Sequence, residues 1–103
     1  MRPGIRYEWD EEKREANLAT HGLAFEDAWQ VFESPGRWDL ASARPDEPER
    51  RQVFAIAEVA GDVCQLAYVV RGNTVRCISY RRASKREREE YHEYVRSYRQ
   101  QDE

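Results

Sequence analysis

The chain has few of the residues that crosslink proteins or hold metals: two cysteines, two histidines and one methionine among 103 residues. Two cysteines cannot build a disulfide framework. Cys64 and Cys77 stand at a spacing that suits no metal site, and His21 and His92 do not complete one. Both thiols are expected to be buried and reduced, and neither a metal nor a cofactor is expected. No apolar run approaches the roughly 20 residues of a membrane-spanning helix. The opening Met1-Arg2-Pro3-Gly4 lacks the apolar region of a secretion signal, which makes the cytoplasm the expected location. Charged residues reach 36% and mean hydropathy is -1.00, while aromatic residues at 12% argue against disorder. One small domain over residues 1–103 with one modest core is the expectation.

Net charge is -3, which speaks against bulk affinity for nucleic acid, but the charges are unevenly placed. Residues 1–50 hold 7 cations and 12 acids, whereas residues 51–103 hold 10 cations and 8 acids. A local basic patch can bind RNA on an acidic protein, because neutralised phosphates are local contacts.

In chain order, Arg6-Tyr7-Glu8-Trp9 alternates as a short strand does. Asp10 is an N-cap and Gly22 a left-handed C-cap, which predicts a helix over Asp10–His21 with a thin apolar stripe of Ala16, Leu18 and Ala19. Phe25, Ala28, Trp29 and Phe32 recur at helical spacing and predict a second helix, ended by Ser34-Pro35-Gly36. Trp38-Asp39-Leu40 suits a short strand. Ala41–Arg50 reads as a loop, long for this domain and a candidate for ordering on a partner.

Arg51–Val59, Val63–Arg71 and Thr74–Arg81 read as three antiparallel strands joined by Ala60-Gly61-Asp62 and Gly72-Asn73. That register sets Cys77 opposite Tyr68 and Cys64 opposite Arg81. It places Phe54, Ile56, Cys64, Leu66, Tyr68, Val70, Val75 and Cys77 on a helix-covered face. Val53, Ala55, Ala57, Val59, Ala67, Val69 and Ile78 fall on the other face. The last helix runs over about Lys85–Gln100 with a stripe of Tyr91, Tyr94, Val95 and Tyr98, and Gln101-Asp102-Glu103 is expected to fray. The fold class is therefore α+β: a small antiparallel sheet of three to five strands, two N-terminal helices and one C-terminal helix.

The last strand and last helix meet in a basic stretch. Arg81 to Arg88 holds five cations and one acid. Ser84 and Glu87 have the spacing of a capping box, so free backbone N–H groups of a helix start lie inside the basic run. Such a junction suits a phosphate.

Two segments resemble one family. Trp9-Asp10-x-x-Lys13-x-x-x-Asn17-x-x-x-His21-Gly22-x-x-Phe25-x-x-Ala28 is similar to the N-terminal signature of BrnT toxins. Ile78-Ser79-x-Arg81-x-Ala83-x-x-x-Glu87-x-x-x-Tyr91 is similar to their C-terminal one. Thr20 and Tyr80 depart from the pattern, where the family usually has lysine and alanine. The resemblance implies a RelE-like type II toxin that cleaves RNA without metal, either free RNA or RNA on the ribosome. It also implies a BrnA-like ribbon-helix-helix antitoxin, with operator DNA bound only through the complex.

Metal-free RNA cleavage uses the 2′-OH as nucleophile and needs a base, an acid and cations for the phosphorane. Arg81 is the first candidate for phosphate stabilisation, because a guanidinium grips paired oxygens and stays charged. Lys85, Arg82, Arg51 and Lys13 are candidates for substrate binding. Glu87 is a base candidate or only a cap. Tyr91 is a proton donor, a stacking surface or a core residue. His21 suits either proton role or caps its helix. A catalytically weak homologue that mainly binds the antitoxin is the alternative reading, and an oligomer surface on the last helix is a third.

Overall fold

The computed structural model describes residues 1–42 and 44–101, with the side chains of Gln100 and Gln101 left aside. Of the fraying expected at Gln101–Glu103, Asp102 and Glu103 fall outside the described residues. The sheet has five strands: β1 (Arg6–Glu8), β2 (Trp38–Ala41), β3 (Arg51–Ala57), β4 (Asp62–Arg71) and β5 (Thr74–Arg82). Their spatial order is β1-β5-β4-β3-β2. The sheet is mixed, because β1 runs parallel to β5 while all other pairs are antiparallel.

Helix α1 (Glu11–His21) begins and ends where its caps dictate. Asp10 accepts from the Lys13 N–H at 3.1 Å, and Gly22 closes the helix at φ 70°, its N–H donating to the Leu18 carbonyl. The expected apolar stripe does not dock it. Ala16, Leu18 and Ala19 are exposed, and Asn17 is the buried residue. Its amide donates to the carbonyls of Leu23 (2.9 Å) and Tyr80 (2.8 Å) and accepts from the Tyr80 N–H (3.0 Å). The β1–β5 pairing stops at Arg76, so Asn17 stands in for a neighbouring strand and satisfies the edge beyond it.

The second helix is broken. Phe25–Asp27 is one turn of 3₁₀ helix, and α2 spans only Trp29–Phe32. Phe25, Ala28 and Val31 are the buried positions, a period of three that suits the tighter helix at its start.

Two features shift the sheet from its expected register. The β3–β4 turn pairs Ala57 with Asp62 and leaves Glu58–Gly61 as the loop, with Gly61 at φ 65°. Val53, Ala55 and Ala57 therefore share the helix-covered face with Cys64, Leu66 and Tyr68, while Phe54 points to the other face and Ile56 is exposed. Tyr68 does pair with Cys77, but a bulge follows, so Ala67 pairs with Ser79 and Cys64 with Arg82. One extra residue, Ile78, flips everything after it. Tyr80 turns into the main core, and Arg81, opposite Gln65, turns out to the other face. An unbroken ladder would have aimed Arg81 at the buried face.

Helix α3 (Lys85–Gln101) covers half of that second face. Tyr91 packs with Phe54, Val63 and Ala83, and its hydroxyl donates to the Gly36 carbonyl at 2.9 Å. Tyr94 stacks on Trp38 at 5.1 Å. Both cysteines are free and buried. Among the described residues, no helix is long and apolar enough to cross a membrane.

Candidate nucleic-acid interface

The half of the second face that α3 leaves open is polar. Gln52, Gln65, Ala67, Ser79 and Arg81 floor a hollow of about 300 Å³, rimmed by Ser42, Arg44, Arg50 and Arg51. A second hollow of about 430 Å³ shares Arg44, Arg50 and Ser79 with it and continues to Lys13, Thr20 and His21 on α1. The two form one groove carrying four cations, Arg44, Arg50, Arg81 and Lys13; Arg51 lies at the rim, with its guanidinium turned to Asp39 and Tyr68 on the helix-covered side. No described carboxylate lines it.

Three carboxylates pair with these arginines from outside the two hollows. Glu87 grips Arg81 through two parallel bonds, 2.8 Å to Nη1 and 3.0 Å to Nη2. It also completes the capping box, accepting from the Ser84 N–H at 2.8 Å while the Ser84 hydroxyl accepts from the Glu87 N–H at 3.2 Å. Asp39 holds Arg51 at 3.2 Å and accepts the Tyr68 hydroxyl at 2.5 Å. Glu47 lies 3.3 Å from Arg50 and 3.6 Å from Arg44. In the segment read as a candidate for ordering on a partner, residues 44–50 form turns around Glu47, whose N–H donates to the Arg44 carbonyl, while Ala43 lies outside the described residues. None of the three carboxylates lines the hollows, and only Glu87 holds its guanidinium through a bidentate pair.

The predicted site residues divide. Arg81, Arg51, Lys13 and His21 border the groove. Glu87 lies behind Arg81, whose hydrogen bonds hold its carboxyl down at about 2. A carboxylate that acidic is a poor proton acceptor near neutrality. Tyr91 lies away from the groove, 4% exposed, and burial raises its pKa further above the ordinary 10. Arg82 falls opposite Cys64 on the far face and reaches the His21 carbonyl at 3.4 Å. Lys85 is exposed on the first turn of α3 and does not line the groove.

The run Arg81–Arg88 is therefore not one patch. Arg88 turns back to the Ala83 carbonyl, and Arg86 pairs with Glu90 along the helix. Sequence reasoning named Arg51 but neither Arg44 nor Arg50 as a site residue. Both arginines sit three residues from Glu47, and that spacing was the signal available.

A small α+β domain with an arginine-lined groove on one sheet face suits an enzyme or binder of phosphodiester chains. The sequence profile of the family "Ribonuclease toxin, BrnT, of type II toxin-antitoxin system" matches residues 9–87, and the chain belongs to that family. Among solved structures, it is similar to the ribonuclease toxin BrnT of Brucella abortus, a crystal structure at 1.1 Å. The two share 25% identity with a TM-score of 0.63, over 79% of this chain and 99% of that one. No curated protein matches the chain.

Proposed function

We propose that this chain is a metal-independent endoribonuclease that arrests growth by cutting RNA, and that a BrnA-like ribbon-helix-helix antitoxin neutralises it. The observation that carries the reading is Arg81, locked by Glu87 and turned by the β-bulge onto the floor of a basic groove. Arg81 is the group that would meet the phosphorane as negative charge builds on its oxygens. Arg44 and Arg50 would hold the neighbouring phosphates. Lys13 and His21 extend the footprint onto α1, and His21 supplies the imidazole for proton transfer at the 2′-OH or the 5′-oxygen.

In this scheme Glu87 positions Arg81 and takes no proton. Tyr91 ties α3 to Gly36 rather than serving the chemistry. Arg82, on the far face, and Lys85, exposed on the first turn of α3, stand outside the groove.

Induced expression of the full chain without antitoxin tests the reading. Growth should stop and cellular RNA should fragment, and the Arg81→Ala chain should be harmless at equal abundance. Intact RNA and normal growth, with folded wild-type protein present, would reject it.

One observation favours a second reading: each groove arginine already has a carboxylate behind it, which tempers its pull on phosphate. A chain so tempered could serve mainly as an antitoxin-binding module and operon co-repressor. Tight antitoxin binding by purified protein that leaves RNA whole would establish that alternative.

A further inference from the structure

The C-terminal half of α3 lies beyond the stretch that matches the family profile, and it carries a feature of its own. Trp38, Tyr94 and Tyr98 form a row of near-parallel rings, with centroids 5.1 Å apart at 15° and then 6.2 Å apart at 29°. Tyr98 ends the row and is 57% exposed, an open aromatic face. Beside it lies a cleft of about 470 Å³ between α3 and the segment after α2, lined in part by Arg2, Arg37 and Arg99.

The acid in that cleft, Glu33, is already engaged. It accepts the Tyr7 hydroxyl at 2.5 Å and the Arg2 backbone N–H. Arg37 lies over the Phe32 ring at 4.9 Å and donates one N–H to the Phe32 carbonyl, its one side-chain hydrogen bond among the described residues. The opposite side of the ring row is lined by Glu89, Glu90, Glu93 and Arg86, the last paired with Glu90, a net acidic wall that would repel a phosphate chain. Aromatic rings ending in an exposed face, with cations on one side and acids on the other, suit one partner chemistry. They favour a base stacked on a ring with its phosphates on the cationic side.

We infer that this cleft binds single-stranded RNA, one base stacking on Tyr98 and adjoining phosphates meeting Arg37 and Arg99. The choice of RNA rests on the ribonuclease reading; the cleft shares no lining residue with the sheet groove and extends the RNA footprint beyond it.

The test uses the full chain and a short single-stranded oligoribonucleotide, 2′-O-methylated so that it cannot be cut. Affinity is read by fluorescence anisotropy across a salt series, with tryptophan emission as a second signal. Tyr98→Ala should weaken binding roughly tenfold. Arg99→Glu should weaken it and lower the logarithmic salt slope by about 0.7 or more. Both side chains are exposed, so the melting temperature should stay at the wild-type value.

On an unmodified substrate, Tyr98→Ala should raise KM and leave kcat unchanged. Wild-type affinity in both variants would overturn the inference while leaving the ribonuclease reading intact. Tyr98-dependent binding by a chain that never cuts would uphold the inference and sink that reading. Unchanged oligonucleotide affinity with lost antitoxin capture would overturn it in favour of a protein partner.

Discussion

Replacing Glu87 with glutamine separates the two jobs its carboxylate could do. The side chain accepts two bonds from Arg81 and one from the Ser84 N–H. Those bonds, the Arg81 pair first, hold its carboxyl at about 2 against the ordinary 4.5. A difference of that size, at about 1.4 kcal/mol per pH unit, bounds its contribution near 3 kcal/mol. The side chain remains 24% exposed, and screening brings the figure nearer 2 kcal/mol.

Glutamine can still accept from Ser84, so Glu87→Gln should lose mainly the charge and unfold about 2 kcal/mol more easily at neutral pH. The folded carboxyl is the more acidic one, so its contribution is complete above about pH 4.5 and fades as pH falls toward 2. Urea unfolding of both proteins between neutral pH and about pH 3 should show a gap that narrows on acidification. A gap below about 0.5 kcal/mol at neutral pH would mean a weak surface pair. A gap that stays constant with pH would mean the charge is irrelevant.

Kinetics supply a second readout. If Glu87 only positions Arg81, Glu87→Gln should slow cleavage modestly. A loss of roughly 10³-fold or more would show proton transfer by Glu87 itself.

Other substitutions test the frame around the groove. Asn17→Ala strands the N–H and carbonyl of Tyr80 and the carbonyl of Leu23, and should cost about 3 kcal/mol in urea unfolding. Tyr91→Phe removes the bond to Gly36 and should cost about 1 kcal/mol. Its cleavage rate should match the wild type, and a tenfold loss would return Tyr91 to the chemistry. Burial pushes the Cys64 thiol up to about 11 and the Cys77 thiol to about 12. Neither should react with a disulfide reagent at about pH 8 until denaturant is added.

What was legible in the sequence was local. Asp10 and Gly22 bound α1, and Ser84 with Glu87 starts α3, because each cap is decided within four residues. The faces of β4 and of Val75 and Cys77 were legible, but those of β3 and of β5 after Cys77 were not. They depend on which residue of the Glu58–Gly61 loop closes the hairpin and on the bulge at Ile78, both set by packing across strands. Tyr80, a departure from the family signature, is explained by that bulge: it fills the main core and leaves the next residue to face the groove.

The site was half legible for a related reason. A basic run in sequence spreads over several faces when a strand turns into a helix, so Arg82, Lys85 and Arg86 leave the groove that Arg81 joins. Arg44 and Arg50 come from a segment rich in proline and acid, where Glu47 hides their charge from a composition count. Asn17 stood in the sequence only as a position of the family signature, yet it fastens α1, with Lys13 and His21, beside β5.

Single-turnover cleavage of a defined RNA by wild type and Arg81→Ala, both verified as folded, tests the central claim most directly. The account predicts a loss of about 10²-fold or more in the chemical step with RNA affinity reduced far less, as for removal of one group aimed at developing charge. An Arg81→Ala protein that cuts within about threefold of the wild-type rate, where such a group should supply several kcal/mol, would contradict it.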